Sequence, residues 1–401
     1  MRTSFWHTLF ISSVVAAGFY SFGCVATAVE GVSEARGNLV SANNSFGFEV
    51  FRQLMEKDYD DNIFMSPTSL AIALTMTYNG ASGETKEAMA KVLELQGMSL
   101  EEVNQTNAAL LERLNNLGGD VLLKMANSLW VREGEEFRAD FLKRNQEFYG
   151  AEISTLDFTD SKAPSIIDAW VKEKTGGKIE TIVEEIPSGA ILYLISAVYF
   201  KSTWAVKFDQ QYTREGDFTL LDGSKKKVPM MMTGAKGVKY LKGDNFEAVG
   251  LPYGDGKVRM YLFVPHRESS LNQFYKELNA GSWDDWMSQF QQTELTIVMP
   301  RFSLEYEIVL NDALANLGMG VAFDSGTADF SGMCIGGRIW IDEVKQKTYL
   351  EVNEDGTEAA AATSVRMKKG PMAIYVNRSF FCAVRDDETG AILFMGSIVE
   401  P

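Results

Sequence analysis

The distribution of periodicities along this chain predicts an α+β fold, with a helix-rich N-terminal half and large mixed or antiparallel β-sheets after it. Helical spacing dominates before residue 175, as in 44–57, where Phe46, Val50, Phe51 and Leu54 share one face. Strand-length runs separated by turns dominate after residue 190. Between them, 191–200 is apolar almost throughout and suits a central strand covered on both faces. Helices first and strands later argue against a doubly wound sheet.

Taken in order, 44–57 is the first helix expected of the folded domain. Residues 62–65 form a short strand, and Ser66 or Pro67 then starts a helix carrying Leu70, Ala73, Leu74 and Met76. Helices follow over 85–93 and 99–116, a strand over 121–131, and helices over 138–149 and 161–175. The last of these stops at Gly176-Gly177. Strands fit 218–220, 228–232, 238–241, 246–251 and 259–264, and one helix fits 271–290 with Trp283 and Trp286 three apart. Residues 294–300 alternate polar and apolar, and strands close the chain at 339–347, 374–376, 380–385 and 392–397.

Residues 1–28 read as a signal peptide. Arg2 supplies a short basic start, 9–23 an apolar run, and Ala26-Thr27-Ala28 a small-x-small cleavage site. The run is short and interrupted for a membrane span. The expected product is a single domain over 29–401, secreted to the extracellular space or periplasm, with lipid anchoring at Cys24 as the alternative. A net charge of −16 favours solubility and disfavours nucleic acid or anionic membranes as partners. Cys334 and Cys382 are too few for a disulfide scaffold and read as buried small apolar residues, with one bridge between them left open. His7 and His266 are the only histidines, so a His-based zinc cluster is excluded, and a Ser-His-Asp triad would need His266 in a turn-like segment. No G-x-S-x-G, Walker A or H-E-x-x-H motif occurs. No cofactor, metal or small-molecule substrate is expected, and the chain does not read as an enzyme.

Residues 354–372 carry the most information. By period two, Thr357, Ala359, Ala361, Thr363, Val365 and Met367 make one small-to-apolar face, and Glu358, Ala360, Ala362, Ser364, Arg366 and Lys368 the other. Alternation says strand, whereas the run Ala359-Ala360-Ala361-Ala362 says helix. Gly356 and Pro371 punctuate the ends as turn or loop. Loop, helix and strand stay open, which suits a segment that changes state.

Asn62-Ile63-Phe64-Met65-Ser66-Pro67 with Ser69, then 78–85, 126–130, Trp170-Val171, 175–179 and 197–204 with Phe208 form an ordered set of motifs. Leu251-Pro252-Tyr253, 299–302, 328–333, 354–363 and Phe394-Met395-Gly396 complete it. In order and spacing this set resembles the serpin superfamily of serine protease inhibitors, over about 44–401. The resemblance implies an exposed C-terminal reactive loop, with a hinge of Glu354, Gly356, Thr357, Glu358, Ala359, Ala360, Ala361, Ala362 and Thr363. It implies a suicide mechanism in which a target serine protease forms a covalent 1:1 complex with an otherwise monomeric inhibitor. Cleavage frees the hinge to insert as a central strand of the main sheet. Ser66, Ser69, Asp168, Trp204 and Gln346 fall in the implied sheet-opening region. Inhibitory relatives usually carry asparagine where Asp168 sits and histidine where Gln346 sits, and the resemblance implies that this pair meets.

Counting from the hinge places the scissile position at Gly370, and counting back from 377–380 places it at Lys368. Lys369-Gly370 lies between and is a good trypsin-like bond, so Lys369 is preferred over Lys368, Gly370 and Arg366. Two other readings remain: a non-inhibitory serpin-like binding, chaperone or structural protein, and an inhibitor of cysteine proteases. Asn43, Asn104 and Asn377 begin glycosylation sequons.

Overall fold

The computed structural model describes residues 16–187, 189–336, 339–357 and 372–401, with side chains from residue 37 onward. Its longer helices are α1 (Ala16–Lys57), α2 (Pro67–Tyr78), α3 (Gly83–Val92), α4 (Leu100–Asn115), α5 (Ala139–Tyr149), α6 (Ala163–Lys174), α7 (Leu271–Glu277) and α8 (Ala280–Gln289). Its strands begin with β1 (Ile63–Met65), β2 (Leu122–Arg132), β3 (Glu152–Leu156), β4 (Leu192–Thr203), β5 (Arg214–Thr219), β6 (Lys225–Lys242), β7 (Phe246–Pro252) and β8 (Val258–Pro265). They continue with β9 (Gln291–Pro300), β10 (Phe302–Val309), β11 (Glu343–Val352), β12 (Gly356–Thr357), β13 (Ala373–Tyr375), β14 (Phe380–Asp386) and β15 (Ile392–Ile398).

Among the described residues the strands make two sheets. One has six strands in the order β10-β11-β12-β4-β2-β3, and the other runs β1-β15-β14-β8-β7-β6-β9-β13 with β5 paired to β6. The predicted α+β class with large mixed sheets is the observed one. β4, the apolar run, sits centrally: it pairs antiparallel with β2 and parallel with β11. Phe46, Phe51 and Leu54 of α1 are buried in one core with Phe263 and Phe381 of the larger sheet.

Three expectations change. α1 runs from Ala16 to Lys57, well beyond the 44–57 that its periodicity marks. The single helix expected over 271–290 is two, because Leu278 and Asn279 leave helical geometry and Asn279 caps α8 through a reciprocal bond with Ser282. The strands expected at 228–232 and 238–241 are one strand, β6, with a register shift between Lys236 and Val238.

Two of the three sequons are closed by the fold. Asn43 is buried, and Asn104 is 1% exposed. The Asn104 amide donates to Asn79 Oδ1 (2.9 Å) and accepts from the Tyr149 hydroxyl (2.7 Å). Cys334 and Cys382 are free and buried, which settles the open question of a bridge.

Candidate functional site: the mouth and seam of the six-stranded sheet

β11 ends at Val352, and the chain turns through Asn353, whose Oδ1 accepts from the amides of Asp355 (3.0 Å) and Gly356 (3.2 Å). It then re-enters the sheet as β12, between β11 (Val352 opposite Thr357) and β4 (Gly356 opposite Thr203, Thr357 opposite Ser202). Only glycine fits the first place. Gly356 has φ near +150°, and a Cβ there would stand 2.2 Å from Ser202 O.

The turn is anchored on both sides. Trp204 N–H donates to Asp355 O (2.9 Å) and Phe208 N–H to Glu354 O (2.8 Å), while Trp204 Nε1 donates to Asn353 O (2.9 Å). The Glu354 carboxylate is buried, accepts from Thr213 Oγ1 (2.7 Å) and lies 3.6 Å from Arg301. Asp355 pairs with Lys207 at 3.2 Å. Behind β12, Trp204 stacks on Tyr253 at 4.3 Å, and the Tyr253 hydroxyl shares a 2.8 Å hydrogen bond with Thr357 Oγ1. Thr357 is fully buried. Gly356 and Thr357, both assigned to the hinge of an exposed loop by the resemblance, are therefore strand, and the rest of that hinge lies outside the described residues.

Below this mouth the sheet is shut, with β4 and β11 paired directly from Tyr193–Glu343 to Tyr199–Tyr349. The middle of the seam is a buried polar cluster. Gln346 Oε1 accepts from Ser66 N–H (2.8 Å), and its Nε2 donates to Ser66 O (3.0 Å) and Ser196 Oγ (3.3 Å). Ser69 Oγ reaches Ser196 Oγ (3.1 Å) and donates to Asn127 Oδ1 (3.0 Å). Ser66 caps α2 and donates its hydroxyl to Leu393 O (2.6 Å). One amide thus joins β11, β4 and the start of α2.

The implied meeting of Asp168 with Gln346 does not occur. Asp168 lies on α6 and accepts from the amides of Ile182 (2.8 Å) and Val183 (3.1 Å), which fixes the connector leading from α6 to β4. Lys347 ties the same connector to β11: its ammonium donates to Thr181 O (2.8 Å) and pairs with Glu305 (2.8 Å) and Glu307 (3.0 Å). Burial works against the charge on Glu307, yet the bonds from Lys345 and Lys347 hold its carboxyl below the usual range. Ser196 fills the place expected of Asp168. Its signal is visible in the sequence as the one small polar side chain within the run 191–200. Nothing in the sequence marks Tyr253 as the partner of Thr357.

Glu358, Ala359, Ala360, Ala361, Ala362, Thr363, Arg366, Lys368, Lys369 and Gly370 lie outside the described residues. Among the described residues no cluster of His, Cys, Asp and Glu suited to a metal ion occurs. No helix there is long and apolar enough to cross a membrane.

The family model for "Serpin (serine protease inhibitor)" matches residues 41–401. The chain belongs to the serpin family. This serpin is 35% identical over 381 residues to Serpin B6 of Pongo abelii, covering 90% of this chain and 99% of the relative. It is 32% identical over 380 residues to the leukocyte elastase inhibitor of Xenopus tropicalis, covering 91% and 100%. The native state of the thermophilic serpin tengpin superposes with a TM-score of 0.83 at 31% identity, covering 90% and 94%. Membership makes this serpin a protease inhibitor by class rather than an enzyme, and serpins generally form 1:1 complexes with target serine proteases.

Proposed function

We propose that this serpin is a suicide-substrate inhibitor with a trypsin-like target, trapping the acyl-enzyme by inserting its cleaved loop between β4 and β11. The observation that carries the reading is β12, seated at the mouth of a seam that is closed below it. The protease serine attacks the Lys369 carbonyl carbon, and the bond to Gly370 breaks as its nitrogen takes up a proton. Lys369 stays joined to the protease as an ester. The strand then zips downward, parting Tyr199–Tyr349 first and Tyr193–Glu343 last, and carries the ester away before water reaches it. Thr357 already faces the core, so Ala359, Ala361, Thr363, Val365 and Met367 follow on the same side by strand parity. Val365 and Met367 would each contribute roughly 1.5–3 kcal/mol if fully covered.

Export with removal of residues 1–28, and a monomeric state before encounter, belong to the same proposal. The test is incubation with trypsin, subtilisin, elastase and a papain-like protease, followed by denaturing electrophoresis and mass measurement of the released peptide. A complex with trypsin that resists detergent, and a peptide beginning at Gly370, are expected. A complex with elastase alone and a cut at Met372 or Val365 would reassign the target. Cleavage by every protease without any complex would favour the binding or structural role instead.

A further inference from the structure

Tyr253 lies in the larger sheet, at the turn between β7 and β8, yet its hydroxyl points at the strand that begins the bait loop. The residue is fully buried. Besides Thr357 Oγ1 at 2.8 Å, its hydroxyl lies near Met260 Sδ at 4.0 Å, a weak partner. The ring is held between Trp204 (4.3 Å, nearly parallel) and the edge of Phe200 (5.2 Å). Its backbone is pinned by a bond from Tyr253 N–H to Val258 O (2.9 Å), and the next residue by Gly254 N–H to Thr203 O (2.9 Å). Burial raises the phenol well above its ordinary range, so it stays a neutral hydroxyl at any working pH.

A rigid hydroxyl facing one position of an entering strand reads that strand's register. In the observed register Tyr253 meets Thr357, which offers a hydroxyl. A slip of one residue would present Gly356, which has no side chain, or Glu358, a carboxylate, to a site without water access. The same slip would turn Ser364, Arg366 and Lys368 toward the core in place of Thr363, Val365 and Met367.

We propose that Tyr253 is a positioning residue for loop insertion: its bond to Thr357 fixes the register from which the cleaved strand enters the sheet. The proposal rests on the inhibitory reading. An acyl-enzyme either inserts or is hydrolysed, so a strand that hesitates over its register is lost to hydrolysis. The bond acts on that partition and not on the first cut.

The experiment measures, for trypsin, the moles of serpin consumed per mole of enzyme inhibited, the rate of loop cleavage, and the heat resistance of the cleaved chain. Tyr253→Phe keeps the stacked ring, and Thr357→Val keeps the shape of the threonine. Each is expected to raise the excess of serpin consumed as substrate by roughly three- to tenfold, the effect of one neutral hydrogen bond, with the cleavage rate unchanged. Thr357→Ser keeps a hydroxyl and restores wild-type partition. The double variant is no worse than either single one, because both lose the same bond. Wild-type partition in Tyr253→Phe and Thr357→Val, or its return in the double variant, would overturn the proposal, the latter by reducing the bond to mutual satisfaction of two buried groups. A wild-type chain that is cut yet gains no heat resistance would remove the inhibitory reading, and this proposal with it.

Discussion

Ser66 places both its backbone N–H and its C=O against the one side-chain amide of Gln346, inside the protein. An amide has fixed donor and acceptor atoms and nothing to titrate near neutrality, unlike the imidazole usual in the family. Truncation would leave two backbone groups and the Ser196 hydroxyl without that partner. Gln346→Ala is expected to lower native-state stability by about 1–3 kcal/mol, read from denaturant unfolding followed by tryptophan emission. The Thr357 position behaves differently from its appearance in the sequence. An arginine there would have to leave a fully buried site, so Thr357→Arg disturbs the native mouth as well as insertion. Ala361→Arg is the cleaner block, since in the proposed inserted state strand parity from Thr357 would put it on the inward face. That variant is expected to be cut by trypsin at the wild-type rate and to yield no detergent-resistant complex.

At the scale of elements, the connector from α6 to β4 and the β10–β11 pair hold the seam from outside. Asp168→Ala removes the acceptor for Ile182 and Val183, and hydrogen exchange at those two amides is expected to rise roughly tenfold. Glu307 supports Lys347 and Lys345 with a carboxyl held below its ordinary value, about 4.3. A depressed value means stability that is present above pH about 4.3 and is lost as pH falls below it. The gap in thermal midpoint between wild type and Glu307→Gln should therefore stay constant from pH 7 to 5 and close on further acidification. Elements of this kind were legible to different degrees. β4 follows from its apolar run, and α5 and α6 from periodicity that stops at Gly150 and at Gly176-Gly177. The break at Asn279 was hidden because apolar spacing continues across it while the cap interrupts only the backbone. Asp168 was misplaced because an acid that fixes a nearby loop and a polar residue at a seam look alike in sequence. Their difference lies in which strand α6 covers.

For the whole molecule, the smaller sheet is parted at one end, where β12 stands between β4 and β11, and shut at the other. The cleaved chain is expected to unfold at a much higher temperature than the intact one, as differential scanning calorimetry would show, and the intact state is then held by a rate. The proposed export would give the fold a bearing on the chain's own synthesis. Asn104 carries a sugar-acceptor pattern, yet its buried amide ends up bonded to Asn79, just past α2, and to Tyr149 at the end of α5. An oligosaccharide attached while the chain is still threading through a membrane would reach that site before α4 packs, and could never be accommodated afterwards. A glycosylating expression host should thus deliver two populations with respect to Asn104, one unmodified there that folds and one modified there that is retained or degraded. A bacterial host should deliver one.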